Sequence, residues 1–159
     1  MAETSFPDLE IGEKGGTVTN RRSIRIEWGD CDPSGIVYFP RYLEYCDAAT
    51  NALFEKAGLF KPMMLKLYGI AGYPMVDVRA RYLMPSEYGD TLEIESQIAE
   101  WGRSSFLVHH RLLKTGLLAA EVYERRVWVT RTSEVPARFK GQPIPQEVKD
   151  IFSGHLSQR

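Results

Sequence analysis

One segment with helical periodicity, set between segments that alternate, constrains the fold more than any other feature of this sequence. Through 41–57, apolar or small residues recur every three or four positions, the spacing of a helix that buries one face. Pro40 before it suits the first helical turn, and Gly58 after it suits the end. Small and apolar residues cover much of its remaining surface: Cys46, Ala48, Ala49, Ala52 and Phe54. Such a helix needs cover on most sides, so we predict that it is central and enclosed.

The segments around this helix alternate between apolar and polar residues, the pattern of strands with one buried face. One covers 22–28, with Ile24, Ile26 and Trp28 on the apolar side. The others follow the helix and cover 75–84, 91–100, 105–114 and 117–131. Short turns join the last three, which indicates a meander. This order predicts an α+β fold, in which an antiparallel sheet packs on one long helix.

The chain length is sufficient for one self-contained domain. With 159 residues, the chain can bury a core without disulfides or a structural metal. We predict a domain over 21–135, a mobile N-terminal tail over 1–20 and a C-terminal extension over 136–159. Shorter helices are predicted over 62–68, ended by Gly69, and over 146–152 in the extension.

Charge, hydropathy and cysteine content exclude several classes of partner. The 20 basic and 21 acidic residues give a net charge of −1, so nucleic acid is not predicted as a partner. No apolar run approaches the roughly 20 residues that span a bilayer, so a membrane protein is not predicted either. Cys31 and Cys46 lack metal-ligand spacing and are expected to be reduced thiols in the cytoplasm.

The residues that suggest chemistry lie in one loop over 28–42, which reads W-G-D-C-D-P-S-G-I-V-Y-F-P-R-Y. Asp30 and Asp32 are two positions apart, so in an extended loop their side chains point the same way. Pro33 keeps Asp32 out of the helical region. The loop therefore sets a carboxylate near a helix N-terminus, whose free N–H groups and positive dipole end can polarise a carbonyl oxygen.

Four interpretations of this loop are open. The aspartates can simply cap a turn or a helix, the commonest role for aspartate in such a place. Calcium binding would need a preceding helix and a glutamate at the twelfth position, which is Arg41. A nucleophilic Cys31 is disfavoured because two flanking carboxylates oppose its thiolate. The fourth interpretation makes Asp32 a catalytic carboxylate.

The same loop carries a specific family motif, G-D-C-D-P-S-G-I-V-Y-F-P at 29–40, followed by R-Y-L-E-Y-C-D-A-A. Similar segments follow at 69–76, 89–95 and 100–106. Over roughly 22–131 the sequence resembles the 4-hydroxybenzoyl-CoA thioesterase family of hotdog-fold acyl-CoA hydrolases. The family more often has alanine where Ser34 stands, a change between small residues.

The resemblance implies a fold, an assembly and a site. The fold is a curved antiparallel sheet wrapped around one helix, paired edge to edge into homodimers or homotetramers with active sites between subunits. Asp32 falls on the family's catalytic carboxylate, and the Phe39 backbone N–H on its donor to the thioester oxygen. Tyr38, Arg103 and Ser104 fall on substrate-binding positions, although the stretch around Arg103 is less basic than in the best-matching members.

The implied activity is hydrolysis of an aromatic acyl-CoA thioester, such as 4-hydroxybenzoyl-CoA, to the free acid and CoA. Asp32 acts either as nucleophile or as general base. No metal or organic cofactor is expected, since coenzyme A is part of the substrate. A short or branched aliphatic acyl-CoA is the alternative substrate. From another class, the chain could be a non-hydrolytic hotdog protein that binds acyl-CoA or an acyl carrier protein.

Other polar residues are expected to have mainly structural roles. His109 and His110 are adjacent and face opposite sides of a strand, so they cannot act as a pair. Asp47, inside the central helix, either hydrogen-bonds the loop of Asp32 or projects at a subunit seam. Most basic side chains of the strand-rich half are expected on a solvated face, with one or two available for the CoA phosphates: Arg79, Arg81, Arg103, Arg125, Arg126, Arg131, Arg138 and Lys140.

Overall fold

Six antiparallel strands form the main sheet in the computed structural model, which describes residues 13–154. The strands are β1 Glu13–Lys14, β2 Thr19–Arg25, β3 Met75–Tyr82, β4 Thr91–Trp101, β5 Ser105–Lys114 and β6 Leu117–Val127. Their order is β1-β4-β5-β6-β3, and β2 pairs with β4 beside β1. The predicted meander is confirmed, because β4, β5 and β6 are consecutive neighbours. A second sheet contains only β7 Val129–Arg131 and β8 Phe139–Gly141.

Three helices complete the described chain: α1 Pro40–Lys56, α2 Lys61–Tyr68 and α3 Gln146–Phe152. All three lie within one residue of their predicted bounds. Gly58 and Gly69 follow α1 and α2 with φ of 82° and 63°, a left-handed conformation that costs glycine little. Within residues 13–154, no helix is long and apolar enough to cross a membrane.

Helix α1 crosses the sheet and divides the core into two apolar clusters. Its first half places Tyr42, Cys46 and Ala49 against sheet residues such as Ile94 and Leu112. Its second half contributes to the other cluster, whose members from α1 and the two short helices are Leu53, Phe54, Met64, Val148 and Phe152. The predicted enclosure is only partial in one chain, since Glu44, Asp47, Glu55 and Lys56 are exposed.

Three strand predictions need correction. The first strand ends at Arg25 rather than Trp28, because Trp28 begins a 3-10 turn and its side chain is 75% exposed. The strand predicted over 75–84 ends at Tyr82 and has a bulge near its start, which turns Val76 to solvent. The strand predicted over 117–131 is interrupted at Trp128, whose N–H donates to Ser104 O at 2.7 Å and whose ring is buried.

The two chain ends pack together where the structure describes them. Residues 1–12 of the predicted tail lie outside the described residues, but β1 and the start of β2 already pair with β4 before residue 21. In the C-terminal extension, α3 buries Val148 and Phe152 in the core. Phe152 O accepts hydrogen bonds from Thr17 N at 2.8 Å and Val18 N at 3.2 Å. Packed core therefore extends beyond both predicted limits of the domain.

We expect Phe152→Ala to lower the free energy of unfolding by about 3–5 kcal/mol, the usual cost of deleting a buried aromatic ring. The ring is fully buried and lies 4.9 Å from that of Phe54 and 5.5 Å from that of Trp101. Denaturant unfolding measures the change. Phe139→Ala, at a side chain that is 64% exposed, is the control and should stay within about 0.5 kcal/mol of wild type. Equal effects of both variants would show that α3 is not part of the core.

Candidate active site

The loop between β2 and α1 forms a short hairpin. Tyr38 N donates to Asp30 O at 2.8 Å, and Asp32 N donates to Ile36 O at 3.0 Å. Gly35 closes the tip with φ of 85° and donates its N–H to Asp32 O at 2.9 Å. The hairpin thereby places Asp32 at its tip and Tyr38 at its base, directly before α1.

The loop between β3 and β4 supports the hairpin from outside. Val37 N donates to Ser86 O at 2.9 Å, and Ile36 pairs with Glu87 in an antiparallel bridge. Backbone hydrogen bonds thus fix the hairpin on two sides. Side-chain contacts alone would leave a loop of this length more freedom.

Asp32 is half-buried at the hairpin tip, and Ser34 holds its carboxylate. Asp32 Oδ1 accepts the Ser34 N–H at 2.8 Å and also the Ser34 hydroxyl. These bonds, the hydroxyl first and the N–H second, hold the pKa of Asp32 below its ordinary value. Asp32 Oδ2 accepts no hydrogen bond from residues 13–154. The site therefore contains an ionised carboxylate with one oxygen available for chemistry.

The start of α1 supplies a free backbone donor. Phe39 immediately precedes α1 and already has helical φ and ψ of −52° and −34°. Its N–H makes no hydrogen bond within the part of the chain that the structure describes, whereas its O accepts Tyr42 N at 3.3 Å. The side chains of Tyr38 and Phe39 are both about half exposed. Asp32, Tyr38 and Phe39 are thus brought into one loop, as the sequence predicted.

An apolar groove of about 350 Å³ opens beside Phe39. Its walls come from the hairpin, α1 and the residues that follow β3: Ile36, Val37, Phe39, Tyr42, Tyr82, Leu83, Met84 and Pro85. None of these side chains is charged, and the rings of Tyr42 and Tyr82 lie 5.1 Å apart. The sequence pattern did not indicate this wall, because it extended the strand to residue 84, whereas the strand ends at Tyr82 and 83–85 continue as a loop beside the hairpin.

Arg103 and Ser104 lie far from the hairpin, in the turn between β4 and β5. Ser104 is half-buried, and its O accepts the N–H of Trp128. Arg103 is exposed, and its side chain makes no hydrogen bond or ion pair with residues 13–154. The hairpin adjoins the opposite end of β4, whose eleven residues extend up to about 35 Å. One chain therefore does not bring Arg103 and Ser104 to Asp32.

Buried polar side chains lie between the two apolar clusters. Glu124 is fully buried, and its Oε2 accepts the Thr50 hydroxyl at 2.7 Å and Arg126 Nε at 3.0 Å. His110 lies 3.4 Å from the same oxygen through Nε2 and 2.7 Å from Ser96 Oγ through Nδ1. Burial opposes ionisation of Glu124, but its contacts with His110 and Arg126 outweigh burial and lower its pKa to about 2.

Asp47 does not make the first of its two predicted contacts, a hydrogen bond to the loop of Asp32, and Arg126 is an exception to the solvated arginines expected on this half. Asp47 is exposed, and its Oδ1 accepts a hydrogen bond from Arg126 Nη2 at 2.7 Å rather than from the hairpin. Arg126 is buried instead of solvated, with Nη1 3.4 Å from Tyr73 O. Their ion pair connects α1 to β6. The sequence did contain a signal for this burial: an arginine that alternates with apolar residues along a strand indicates a buried arginine paired with a carboxylate.

The two histidines are separate structural residues, as predicted. His110 belongs to the buried polar set on the inner face of the sheet. His109 faces the other side, where its Nε2 lies 2.7 Å from Glu121 and its ring stacks on Tyr123 at 4.4 Å. They share no partner, so they cannot act together on one substrate.

Metal-binding and thiol chemistry have little support in the described chain. Among residues 13–154, no three or more His, Cys, Asp or Glu side chains are placed to hold a metal ion. Cys31 and Cys46 are both unpaired. Cys46 is buried in the core, and Cys31 Sγ lies 3.8 Å from Glu27 O. Asp32 is therefore the hairpin group best suited to act on a substrate.

Comparison with known proteins identifies the family. The model of the thioesterase-like superfamily matches residues 26–152. The chain therefore belongs to the thioesterase-like superfamily, and the resemblance predicted from the loop motif is confirmed.

Two relatives carry more specific names. The chain is 43% identical over 93 residues to 4-hydroxybenzoyl-CoA thioesterase of Pseudomonas sp. (strain CBS-3), covering 57% of this chain and 65% of that protein. It is 36% identical over 87 residues to 1,4-dihydroxy-2-naphthoyl-CoA hydrolase of Synechococcus elongatus, covering 55% of this chain and 64% of that one. The matched segments thus span slightly less than two thirds of either relative.

A solved structure shows the same fold. The structure of 4-hydroxybenzoyl CoA thioesterase from Pseudomonas sp. strain CBS-3 superposes with a TM-score of 0.77 and 33% sequence identity. The match covers 84% of this chain and 98% of that one. The predicted α+β hotdog fold is confirmed.

We expect Ser34→Ala to raise the pKa of Asp32 toward its ordinary value, because the carboxylate then keeps only the backbone donor. Carboxyl-carbon NMR titration of labelled protein measures this pKa directly. Ser153→Ala is the control, since the Ser153 hydroxyl donates to Asp150 O in α3 and not to the hairpin. An unchanged pKa of Asp32 in Ser34→Ala would contradict the role given to the hydroxyl.

Proposed function

We propose that this protein is an acyl-CoA thioesterase in which Asp32 is the catalytic carboxylate and the Phe39 N–H binds the thioester oxygen. The observation that carries the proposal is the hairpin itself. It presents a carboxylate with one free oxygen and, at its other end, a free N–H at the positive end of α1. Family membership and the names of both relatives support the same activity.

An aromatic acyl group is the proposed substrate class, with 4-hydroxybenzoyl as the first choice. The groove beside Phe39 is apolar, and the Tyr42 and Tyr82 rings in its wall suit contact with a flat ring. The names of both relatives specify aromatic acyl-CoA substrates. Short or branched aliphatic chains remain the alternative, since an apolar wall also accepts them.

The chemistry follows from the two groups in the hairpin. Hydrolysis breaks the C–S bond, adds water across it and releases the free acid and the CoA thiol. Asp32 either attacks the carbonyl carbon, giving a mixed anhydride that water opens, or takes a proton from the attacking water. Its low pKa keeps it ionised at neutral pH in both cases. Neither route needs a metal or an organic cofactor.

Negative charge develops on the thioester oxygen in both routes. A preorganised donor to such an oxygen is worth on the order of 2.7–4 kcal/mol in other enzymes. The Phe39 N–H can supply this donation because it has no acceptor among residues 13–154. This stabilisation of the negative oxygen comes from the Phe39 N–H, a backbone group that needs no rearrangement during the reaction.

We also propose that the working unit is a homodimer or homotetramer. Strand β3 pairs with β6 on one side and has no partner strand on the other within residues 13–154. Val76 and Tyr82 on this strand are 59% and 45% exposed. An open edge of this kind is suited to pairing with a second copy. Arg103 and Ser104 of another copy would then reach the CoA portion of a substrate held at Asp32.

Location and other partners stay predictions. The two unpaired cysteines suit a reducing compartment, so we place the activity in the cytoplasm. The near-neutral charge gives no reason to expect nucleic acid as a partner. The absence of a membrane-spanning helix among the described residues is consistent with a protein that has no membrane partner.

We expect Asp32→Asn to lower kcat by at least about 100-fold on the best substrate, because Asn can neither attack nor accept the proton. Thiol release from a panel of aromatic and aliphatic acyl-CoAs measures the rate. Asp150→Asn, in α3, is the matched control and should keep near wild-type kcat. Full activity of Asp32→Asn would show that Asp32 is not the catalytic carboxylate. No thiol release by wild type on any thioester would favour a non-hydrolytic binding protein.

We expect Arg103→Gln to raise KM for acyl-CoA by about tenfold and to change kcat little, as the loss of one contact to a phosphate predicts. The N-acetylcysteamine thioester of the same acid lacks the phosphates, so its kinetics should not change. Arg131→Gln, at another exposed arginine of the strand half, is the control. An equal effect on both substrates would place Arg103 outside the CoA site.

Mixed assemblies test whether two copies share a site. Refolding Asp32→Asn together with Arg103→Gln creates some sites with both native residues if those residues come from different subunits. Activity at low acyl-CoA concentration should then exceed the sum of the separate variants. Simple additivity would show that each chain forms its site alone.

A further inference from the structure

Two turns with the same sequence pattern lie side by side next to the hairpin. The first is E-W-G-D at 27–30 and the second is E-Y-G-D at 87–90. In each turn the aspartate Oδ2 accepts the glutamate N–H at 2.8 Å, and the aspartate N–H donates to the glutamate O at 3.0 Å. The rings of Trp28 and Tyr88 meet edge to face, 5.5 Å apart. Locally, Asp30 and Asp90 have the same structural role.

Of the two aspartates, Asp30 is the one that has a hydrogen bond or ion pair with the hairpin and α1 among residues 13–154, although Glu87 of the second turn also bridges Ile36 of the hairpin. Its O accepts Tyr38 N at 2.8 Å, which closes the hairpin base. Its Oδ1 lies 4.0 Å from Arg41 Nε in the first turn of α1. Asp90 instead lies 3.4 Å from Lys114 on β5. Asp30 therefore connects the end of β2, the base of the hairpin and the start of α1.

Tyr45, one turn further along α1, adds a second contact on the same side. Its hydroxyl is buried and has no hydrogen-bond partner in the described part of the chain. Burial first, and the neighbouring Asp30 carboxylate second, raise the pKa of Tyr45 above its ordinary value. The side chains of Asp30 and Arg41 are 20% and 40% exposed, so their ion pair is partly shielded from water.

These contacts bear on catalysis because they join the two groups of the proposed site. Asp32 lies inside the segment that the backbone hydrogen bond from Tyr38 N to Asp30 O closes, and the Asp30 side chain, through Glu27 N and Arg41, holds this backbone from both sides. The Phe39 N–H comes directly after that segment, and Arg41 two residues later. A displacement of about 1 Å between reacting groups can cost 100-fold in rate. Whatever holds the hairpin base against α1 therefore sets the distance between carboxylate and donor.

We propose that Asp30 is a positioning residue that holds the hairpin bearing Asp32 in register with the start of α1 and the Phe39 N–H. The effect on catalysis rests on the proposed thioesterase function. Asp30 touches neither the groove nor Arg103. Its loss should therefore reduce kcat much more than it changes KM.

The matched pair Asp30→Ala and Asp90→Ala tests this proposal. Both variants lose the same turn hydrogen bond, so both should show a similar drop in Tm. We expect kcat of Asp30→Ala to fall at least about tenfold with KM within about threefold, and both constants of Asp90→Ala to stay within about threefold of wild type. Equal loss of kcat in the two variants, or a change confined to KM, would overturn the proposal.

Hydrogen exchange gives a second readout that does not depend on activity. Peptides covering 31–39 should exchange faster in Asp30→Ala than in Asp90→Ala or wild type, under conditions where all three are folded. If wild type releases thiol but exchange over 31–39 is the same in Asp30→Ala as in wild type, the positioning role alone is overturned. If wild type releases no thiol but exchange is faster in Asp30→Ala, the link between Asp30 and the hairpin is sustained and the proposed function is removed.

Asp30→Asn replaces Asp30→Ala if the latter does not fold. The amide oxygen of Asn can still accept the Glu27 N–H, but the variant lacks the charge that lies 4.0 Å from Arg41, while the closer Arg41–Glu44 ion pair at 2.8 Å remains. We expect a smaller fall in kcat, again with KM little changed and with faster exchange over 31–39. Wild-type kcat and wild-type exchange in Asp30→Asn would overturn the proposal.

Discussion

The buried carboxylate of Glu124 fixes how the central helix lies on the sheet. An ionised group without exposure needs donors and cations near it, and Thr50, His110 and Arg126 supply them to Glu124 Oε2 from α1, β5 and β6, while Oε1 has no hydrogen-bond partner among residues 13–154. The apolar clusters on either side could be filled by other side chains of similar volume. The polar contacts between them are directional, and α1 takes part through the Thr50 hydroxyl and the Asp47–Arg126 ion pair, which favour the observed placement of the helix. The location of the Phe39 N–H, which begins that helix, follows from this placement.

Patterns within short segments predicted most of the fold. The helical spacing of α1 with Gly58 at its end, and the alternation along β4 and β5, depend on neighbours in sequence and appear in the structure as expected. The positions of Trp28 and Arg126 were not predicted correctly from such short-range patterns. Trp28 turns outward because the Asp30 carboxylate captures the Glu27 N–H and starts a turn. Arg126 is buried because Glu124, two residues before it, and Asp47, which only folding brings near, both pair with its charge.

The same distinction between short-range patterns and long-range contacts applies to the candidate site. Asp32, Tyr38 and Phe39 lie within eight residues, so one motif could predict their proximity, and the hairpin supplies it. The distance from Arg103 to this hairpin could not be read from sequence, because it depends on the length of β4 between them. The repeated E-aromatic-G-D pattern was visible in the sequence. Its meaning appears only when the two turns are seen in contact and only Asp30 reaches α1.

Within residues 13–154 the outer side of β3 has no partner strand, and this has a consequence for a newly folded chain. Unpaired N–H and C=O groups along a strand accept any extended peptide, including a partly folded copy of the same sequence. The exposed apolar side chains of Val76 and Tyr82 make this edge more prone to aggregation, because they accompany the free backbone groups. If native copies join there, correct pairing and aggregation compete for the same hydrogen bonds. The rate at which newly folded copies meet would then determine how much of the protein escapes aggregation.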